Sequence, residues 1–407
     1  MRRNRKFLRA LGWVALAALS SDEGRAQVTV AGREVQFHGF FSQGFLRSSG
    51  NNYLTTSSLD GSYHLTDGGL NASTQVTNRF RIGAQAYVRN VGKLGKGHVT
   101  LDWAFGDYRV NDWLGVRVGQ VKTVLGLYND TQDLEFLHTW ALLPQSLYPI
   151  DLRGYNISHL GGDLYGSIPV RGAGTVSYTV YGGKAPPDRA GGLQYGLASY
   201  DHRIGARNGS MYGADLKWSP LRGLLLGVGY LHTRHITKGD NQRFGGPFLS
   251  DAHVHDTRIS FQYSRGPWRI EWEHSRGASI SNVSTALSPY GPYFVAIPFD
   301  MRGSYAAAAF RVRKWLELGT YHSRFYPNAN RQVPVYGRYA PPAERHVYDQ
   351  AVTGRFDFKT HFDLKIEGHF IDGYGDPGTA RGFYPQDNPQ GMQPRTNLLV
   401  VRLGFNR

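Results

Sequence analysis

Arginine residues that alternate with apolar residues are the most chemically suggestive feature of this sequence. Arg81 lies between Phe80 and Ile82, and Arg117 lies between two valines. Successive side chains of an extended chain point to opposite faces, so each arginine lies opposite its apolar neighbours. The basic residues that this spacing places on the polar face are Arg79, Arg81, Arg117, Arg258, Arg269, Arg311, Arg355, Lys365 and Arg402. Guanidinium groups gathered beside water attract and orient anions.

Carboxylates nearly balance these cations. Those on the same face are Asp102, Glu271, Glu273, Glu317, Asp357, Asp363 and Glu367. Three more, Asp130, Asp133 and Glu135, lie in residues 125–157, where the alternation stops. If this segment folds against the arginines, the opposed charges create a transverse field that orients polar solutes. The alternative is that the charges only solvate an aqueous interior and pair across strands.

Catalytic and metal-binding motifs are weak or absent. The sequence has no Gly-x-Ser-x-Gly motif, no phosphate-binding Gly-x4-Gly-Lys-Ser/Thr loop and no cysteine. His232 and His235 precede one connection, and His253 and His255 follow it, so a metal site there is one alternative to exposed loop histidines. Residues 372–376, Asp-Gly-Tyr-Gly-Asp, are either a calcium loop or a plain turn. We expect no enzyme, no cofactor and no resident metal.

The composition narrows the class of protein. The 407 residues include 51 Gly, 25 Tyr and 21 Phe, no Cys, and carry a formal charge of +15. Without cysteine a disulfide scaffold is impossible, and so many aromatic residues argue against disorder. After residue 26 no apolar run approaches the roughly 18 residues of a spanning helix. The basic residues are scattered singly, so we expect no nucleic-acid partner.

The amino terminus is typical of a secretory signal peptide. Residues 1–9 are strongly basic, and residues 10–19 form a short apolar core. Cleavage after Ala26 fits the preference for small residues, and Ala18 to Ser20 offers an earlier site. We therefore expect a signal peptide at 1–26 and a single domain at 27–407.

Sixteen segments with a period of two follow the signal peptide. They are 35–43, 63–75, 80–88, 99–105, 114–118, 158–168, 173–183, 209–218, 222–236, 253–264, 267–282, 301–313, 315–325, 346–358, 361–374 and 395–406. In the fourth, Val99, Leu101, Trp103 and Phe105 are predicted on the apolar face, opposite Asp102. Such alternation indicates strands with one apolar and one polar face.

The connections alternate between tight turns and long polar loops. The long ones are predicted at 48–61, 184–208, 237–252, 283–300, 326–345 and 375–394. An even number of strands, short turns at one end and long loops at the other are typical of outer-membrane barrels. The sequence therefore predicts an all-β fold, a 16-stranded antiparallel transmembrane β-barrel with short periplasmic turns and long extracellular loops. Residues 125–157 are the candidate constriction loop.

Three stretches resemble bacterial outer-membrane porins of the broad phosphate-selective type. They are Gly39-Phe-Phe-Ser-Gln-Gly-Phe-Leu-Arg-Ser-Ser-Gly-Asn-Asn52, Gly115-Val-Arg-Val-Gly-Gln-Val-Lys122 running into Gly126-Leu-Tyr-Asn-Asp130, and Leu143-Pro-Gln-Ser-Leu-Tyr-Pro149. The resemblance implies sixteen strands and a homotrimer. Two features differ from the family: Asn406 and Arg407 follow Phe405, where such chains end on an aromatic residue, and no row of lysines matches a phosphate ladder.

These observations predict a passive diffusion channel for small hydrophilic solutes or ions in the outer membrane of a Gram-negative bacterium. Its expected partners are outer-membrane lipid, lipopolysaccharide and the solutes. The residues predicted to line the pore or its constriction are Arg79, Arg81, Arg117, Asp130, Asp133, Glu135, Arg269, Arg355 and Arg402. Two other functions stay open, an outer-membrane β-barrel hydrolase and an exported soluble carbohydrate-binding β protein.

Overall fold

A computed structural model describes residues 26–30, 32–186, 190–198, 202–288, 291–330, 341–376 and 381–407. The predicted signal peptide lies outside the described residues, except for Ala26. No helix within the described ranges is long and apolar enough to cross a membrane. Strands dominate the described chain, and the helical turns occur only in connections.

Sixteen antiparallel strands, β2 to β17, form a closed barrel, as the alternating pattern predicts. Their bounds are β2 Arg33–Ser49, β3 Ser62–Thr77, β4 Phe80–Val91, β5 Val99–Asn111, β6 Leu114–Lys122, β7 Ser158–Val170, β8 Gly174–Lys184, β9 His202–Ser219, β10 Leu224–Asn241, β11 Pro247–Arg265, β12 Trp268–Ser288, β13 Gly291–Arg313, β14 Leu316–Tyr326, β15 Val347–Phe358, β16 Phe362–Asp372 and β17 Arg395–Asn406. Each strand pairs with the next along the chain, and β17 pairs with β2 to close the ring.

A short additional strand, β1 at Ala26–Val30, precedes the barrel. It pairs with Arg33–Phe37 of β2, whereas β17 pairs with residues 40–49 on the same edge of β2. The backbone of Arg407 exchanges two hydrogen bonds of 2.8 Å with Gly39, between these two pairings. Because β1 continues the line of β17, the first described residues lie at the turn end of the barrel, where the tight turns are.

Two of the expected long loops are mostly strand. The connection predicted at 237–252 shrinks to 242–246, because β10 runs to Asn241 and β11 begins at Pro247. The connection predicted at 283–300 shrinks likewise, since β12 ends at Ser288 and β13 begins at Gly291. Both hairpins extend the wall beyond the apolar band. Their outward residues are not required to be apolar, so their sequence needs no period-two pattern.

The outer face of the barrel is apolar and the inner face is polar. Val118, Val228 and Leu403 point outwards and are about half exposed or more (63%, 47% and 50%). Their neighbours on the inner face include Arg117 and Arg402, which bond to buried carboxylates. This arrangement is the reverse of a soluble β protein and matches a barrel surrounded by hydrocarbon.

A bulge in β5 places two aromatic residues on the inner face, whereas the sequence predicted them on the outer face. Gln85 of β4 pairs with Trp103, but the next residue, Ala86, pairs with Leu101, so Asp102 is an extra residue. The extra residue reverses the alternation. Trp103 and Phe105 therefore face the interior with Asp102, although their spacing from Leu101 predicted the outer face.

The depth of the outward side chains can be tested on one strand. Replacing Val228 with arginine is expected to destabilise the barrel by about 2–4 kcal/mol, because the charge would lie near the middle of the hydrocarbon. His232 points outwards from the same strand, four residues nearer the loop end, where arginine should cost about 0–1 kcal/mol. Urea unfolding in lipid vesicles would measure both variants, and equal losses would contradict the assigned depth.

Candidate functional site

The connection between β6 and β7, residues 123–157, lies inside the barrel and is called the inner segment below. The N–H of Gly126 donates to Asp215 on β9 at 3.0 Å, and the N–H of Ala141 donates to Glu367 on β16 at 3.0 Å. Because β9 and β16 are far apart around the ring, the segment must cross the lumen to reach both. The structure thus brings the predicted constriction segment against the inner wall.

Carboxylates of the wall satisfy the backbone of the inner segment, which has little regular secondary structure of its own. Glu367 accepts the N–H groups of Ala141 and Leu142 at 3.0 and 2.9 Å. Glu273 accepts the N–H of Leu127 at 2.9 Å and the hydroxyl of Tyr148 at 2.5 Å. Each glutamate accepts two hydrogen bonds from the segment, so these two residues anchor it at two sides.

Glycines in the wall let the inner segment pack closely. A Cβ added at Gly319 would lie 2.7 Å from the Trp140 ring, and one at Gly303 would lie 2.6 Å from the carbonyl oxygen of Ser146. Trp140 is buried and meets Tyr321 edge-on, with ring centroids 5.1 Å apart. Larger residues at these two glycines would push the segment away from the wall.

The predicted acidic residue Asp133 belongs to a buried charge network. Lys122 contacts Asp133 and lies 2.7 Å from Asp102, and Arg153 donates to Asp102 at 2.7 Å. Gln85 donates to both carboxylates at 2.9 and 2.7 Å. Two cations thus face two carboxylates, and their charges balance. This part of the segment therefore contributes little net electric field to the lumen.

Two further ion pairs involve the predicted site residues Arg402 and Glu135. Nη2 of Arg402 donates to both carboxylate oxygens of Asp67 at 2.8 and 2.9 Å, and Nη1 donates to the carbonyl of Ala141 at 2.8 Å. Lys365 pairs with the carboxylate of Glu135 and donates to its carbonyl at 2.6 Å. Burial raises the pKa of the Glu135 carboxyl, and the adjacent Lys365 ammonium opposes that shift. Both pairs fix the segment to β16 and β17.

The predicted residues Arg269 and Arg355 belong to a third cluster. Glu317 lies 2.9 Å from Arg269 and 2.5 Å from Arg311, and Asp357 lies 2.8 Å from Arg355 and also contacts Arg311. Arg355 donates to a carbonyl of the inner segment at 2.7 Å. Each of these arginines therefore lies beside a carboxylate of its own or a nearby strand, which favours pairing across strands over two opposed walls of charge.

Arg79 does not line the interior. It lies in the turn between β3 and β4 and is exposed at the turn end, although the sequence predicted it on a strand. The arginine-rich strand begins one residue later, with Phe80. The local signal for this boundary is Thr77, whose hydroxyl accepts the N–H groups of Arg79 and Phe80 at 3.3 and 3.1 Å.

Two cavities lie beside the inner segment in the described part of the barrel. One of about 30 Å³, enclosed by the inner segment, Tyr87 and Arg402, has room for one or two water molecules. The other, about 330 Å³, lies beside β2 to β6 and is called the inner cavity. Its charged lining residues are Arg81, Arg117, Lys122 and Asp130, and its other lining residues are Gln36, His38, Asn71, Ser73, Trp103 and Phe105.

The inner cavity combines predicted and unpredicted residues. Arg81 and Arg117 each lie with their guanidinium carbon 5.9 Å from the centre of the Phe105 ring. Sequence reasoning missed Phe105 because of the bulge in β5. It also missed Lys122, which ends a strand where the alternating pattern gives way to the inner segment. The extra residue at Asp102 becomes visible only from the pairing of β5 with β4, which alternation within β5 does not reveal.

Connections at the loop end pack over the inner segment. Asp151 accepts the N–H of Gly382 at 2.8 Å and the hydroxyl of Tyr384 at 2.7 Å. Tyr53 packs edge-on against Phe383 with ring centroids 4.9 Å apart. The loop residues 50–61 and 381–394 thus fold inwards above β2 and β17.

The histidines do not form the metal site considered above. His232 lies on the outer face, with ring centroids 4.5 Å from His255 and 5.9 Å from His253, while buried His235 packs on Tyr155. Within the described ranges no group of three or more histidine, aspartate or glutamate residues could hold a metal ion. In the 372–376 turn, Asp372 instead contacts His346 at 3.3 Å.

The barrel is similar to solved outer-membrane proteins. OmpT, an outer membrane protein of Vibrio cholerae, matches with a TM-score of 0.59 and 11% identity over 94% of this chain and 100% of that chain. OmpF of Salmonella typhi matches with a TM-score of 0.56 and 10% identity over 94% and 100%. An anion-selective porin from Comamonas acidovorans matches with a TM-score of 0.51 and 9% identity over 92% and 100%. At these identities the likeness establishes the porin fold alone.

No protein-family model and no curated protein matches the chain. The phosphate-selective type that the sequence resembles is not confirmed by the solved structures, whereas the general porin barrel is.

Proposed function

We propose that this protein is an outer-membrane channel for the passive diffusion of small hydrophilic solutes. The observation that carries the proposal is a closed barrel that is apolar outside and holds a polar cavity of about 330 Å³ inside. A barrel of this strand number leaves an aqueous lumen, and porins share the architecture over almost the whole chain.

The inner segment narrows this channel. Its anchors to Glu273, Glu367 and Asp215 hold it across the lumen, so solutes pass beside it through the inner cavity. The cations of the constriction lie against carboxylates, which leaves a small net charge along the path. We therefore propose weak ion selectivity, in place of the transverse field expected from the sequence.

A basic band on the outer face fits the phosphate groups of lipopolysaccharide. Arg276 and Arg302 lie directly opposite each other on β12 and β13 and share Asp300 at 3.4 and 2.9 Å. Arg324 and His322 continue the band on β14. More cations than carboxylates lie just above the apolar belt, where the lipid headgroups would be. Phosphate oxygens accept bidentate hydrogen bonds from arginine.

Assembly and export follow from the same proposal. One solved form of the Vibrio cholerae protein is a trimer, and we propose a homotrimer here. Export through a cleaved signal peptide at residues 1–26 is proposed from the basic and apolar pattern of that segment.

Liposome swelling tests the proposed diffusion function. Vesicles that contain the purified protein are expected to swell faster in isotonic glycerol than vesicles without it, in proportion to the protein added. Swelling should stop with neutral polymers too large for a cavity of about 330 Å³. Swelling no faster than that of empty vesicles would contradict passive diffusion.

Labelling of intact cells tests the orientation. Arg243 lies in the 242–246 hairpin at the loop end, and Arg171 lies in a tight turn at the opposite end. Because the chain has no native cysteine, a single cysteine at either site gives an unambiguous signal. An impermeant maleimide should label Arg243→Cys and spare Arg171→Cys. The reverse pattern would place the long loops in the periplasm.

The alternative of a barrel hydrolase has little support. His369 lies 3.0 Å from Asp349, as in a histidine oriented by a carboxylate, but its other ring nitrogen lies 3.0 Å from Glu367. Both ring nitrogens therefore contact carboxylates, and among the described residues neither contacts a hydroxyl that could act as a nucleophile. The alternative of a soluble protein conflicts with the apolar outer belt.

A further inference from the structure

The inner cavity contains a surface made of two aromatic rings. Trp103 and Phe105 lie next to each other on the inner face of β5, with ring centroids 5.1 Å apart and planes inclined by 31°. Both rings line the inner cavity. Apolar rings facing water are unfavourable, and covering them with an apolar surface of a solute would be stabilising.

A glycine in the wall sets the orientation of the tryptophan. A Cβ added at Gly83 on β4 would lie 3.0 Å from Cζ3 of Trp103 and 3.0 Å from Cβ of Ser73. The six-membered ring of Trp103 therefore leans over the neighbouring strand at a position where no side chain intervenes. The absence of a side chain at Gly83 therefore leaves room for the Trp103 ring against β4.

Uncharged hydrogen-bonding groups continue from these rings across three strands. The two inward-facing rows of paired residues are Gln36–Ser73–Gly83–Phe105 and His38–Asn71–Gln85–Trp103. Amide and hydroxyl groups can both donate and accept hydrogen bonds. The cavity thus has an apolar surface at one side and a set of neutral polar groups beside it.

The charges at the cavity favour a neutral occupant. Arg81 lies 3.6 Å from Asp107, and Arg117 lies 2.7 Å from Asp163. Lys122 lies between two carboxylates, as described above. An anionic ligand would have to compete with these carboxylates for the same cations. A neutral, hydroxyl-rich solute can instead bond to the outer atoms of the existing pairs without separating them.

We propose that the inner cavity is a binding site for a neutral sugar, with one pyranose ring stacked on Trp103 and Phe105. A pyranose has a face of C–H groups and a rim of hydroxyls, which match the two sides of this cavity. The volume of about 330 Å³ is at the lower end of ligand pockets and suits one or two sugar rings. This inference rests on the proposed channel function and names its solute class.

Titration calorimetry in detergent tests the site without requiring transport. Glucose and maltose are the probes, and benzoate represents an aromatic anion. We expect a sugar to bind the wild type, with affinity reduced roughly tenfold or more by Trp103→Ala, equivalent to about 1.4 kcal/mol. Trp113→Ala is the matched control, because Trp113 lies in an exposed turn. Gly83→Val, which pushes the ring off the wall, should also weaken binding.

The outcomes separate this inference from the channel proposal. Sugar affinity that is the same in wild type and Trp103→Ala, or binding of benzoate without either sugar, would overturn the sugar site. Swelling in glycerol by a protein that binds no sugar would leave the channel function standing. Sugar binding without swelling would leave the site standing and contradict the channel. Refolding of each variant is checked by the change in its electrophoretic mobility on heating.

Discussion

Replacing Glu367 with leucine is expected to raise the mean single-channel conductance and to make the current fluctuate. The change removes the acceptor of the Ala141 and Leu142 N–H groups and of His369. A buried donor left unsatisfied costs about 1–3 kcal/mol, so the inner segment should leave the wall far more often. Each 1.4 kcal/mol raises the displaced population roughly tenfold.

Thr353→Val is the matched control for this effect. The Thr353 hydroxyl donates to Glu367 at 2.5 Å, so the valine variant loses a bond to the same carboxylate but keeps both backbone anchors. Planar-bilayer recordings should give nearly wild-type current for Thr353→Val. If Glu367→Leu folds and conducts as steadily as the wild type, the inner segment is held by other contacts or does not obstruct the path.

Replacing Arg402 with alanine is expected to lower the free energy of unfolding by about 3–5 kcal/mol, because it leaves the carboxylate of Asp67 buried without its partner. Both side chains are only 5% exposed, and Nη2 of Arg402 donates to both oxygens of Asp67. The same substitution also removes the donor to the carbonyl of Ala141.

Arg81→Ala provides the comparison for this loss of stability. The Arg81 side chain is 48% exposed and lies 3.6 Å from Asp107, so its removal should cost only about 0–1 kcal/mol. Urea unfolding of both variants under one lipid condition would measure the difference. Similar losses for the two arginines would mean that the Arg402 pair is hydrated in solution.

The barrel could be predicted because each strand that crosses the apolar belt must alternate. Val118, for example, is exposed on the outer face, whereas the neighbouring Arg117 pairs with Asp163 on the inner face, so the period-two pattern is strong. The strand ends in the hairpins β10–β11 and β12–β13 could not be predicted, because beyond the apolar belt neither face of a strand has to be apolar. The strand bounds at Asn241 and Ser288 therefore had no sequence signal.

The candidate site was harder to predict because it depends on contacts between distant parts of the chain. The sequence identified the charged residues but not their partners: Arg402 pairs with Asp67, and Lys365 pairs with Glu135. The extra residue at Asp102 moved two aromatic side chains to the inner face. One inserted residue in a strand reverses every following side chain, and alternation alone cannot locate it.

Single-channel recording of the wild type under a KCl gradient tests the central claim most directly, namely that the barrel is an open but narrowed pore with paired charges. We expect discrete conductance steps with a reversal potential close to zero, since the cations Arg81, Arg117 and Lys122 each lie beside a carboxylate. A protein that folds and inserts but gives no conductance steps would contradict the claim of an open pore. A reversal potential close to the Nernst potential of chloride or potassium would contradict the paired charges.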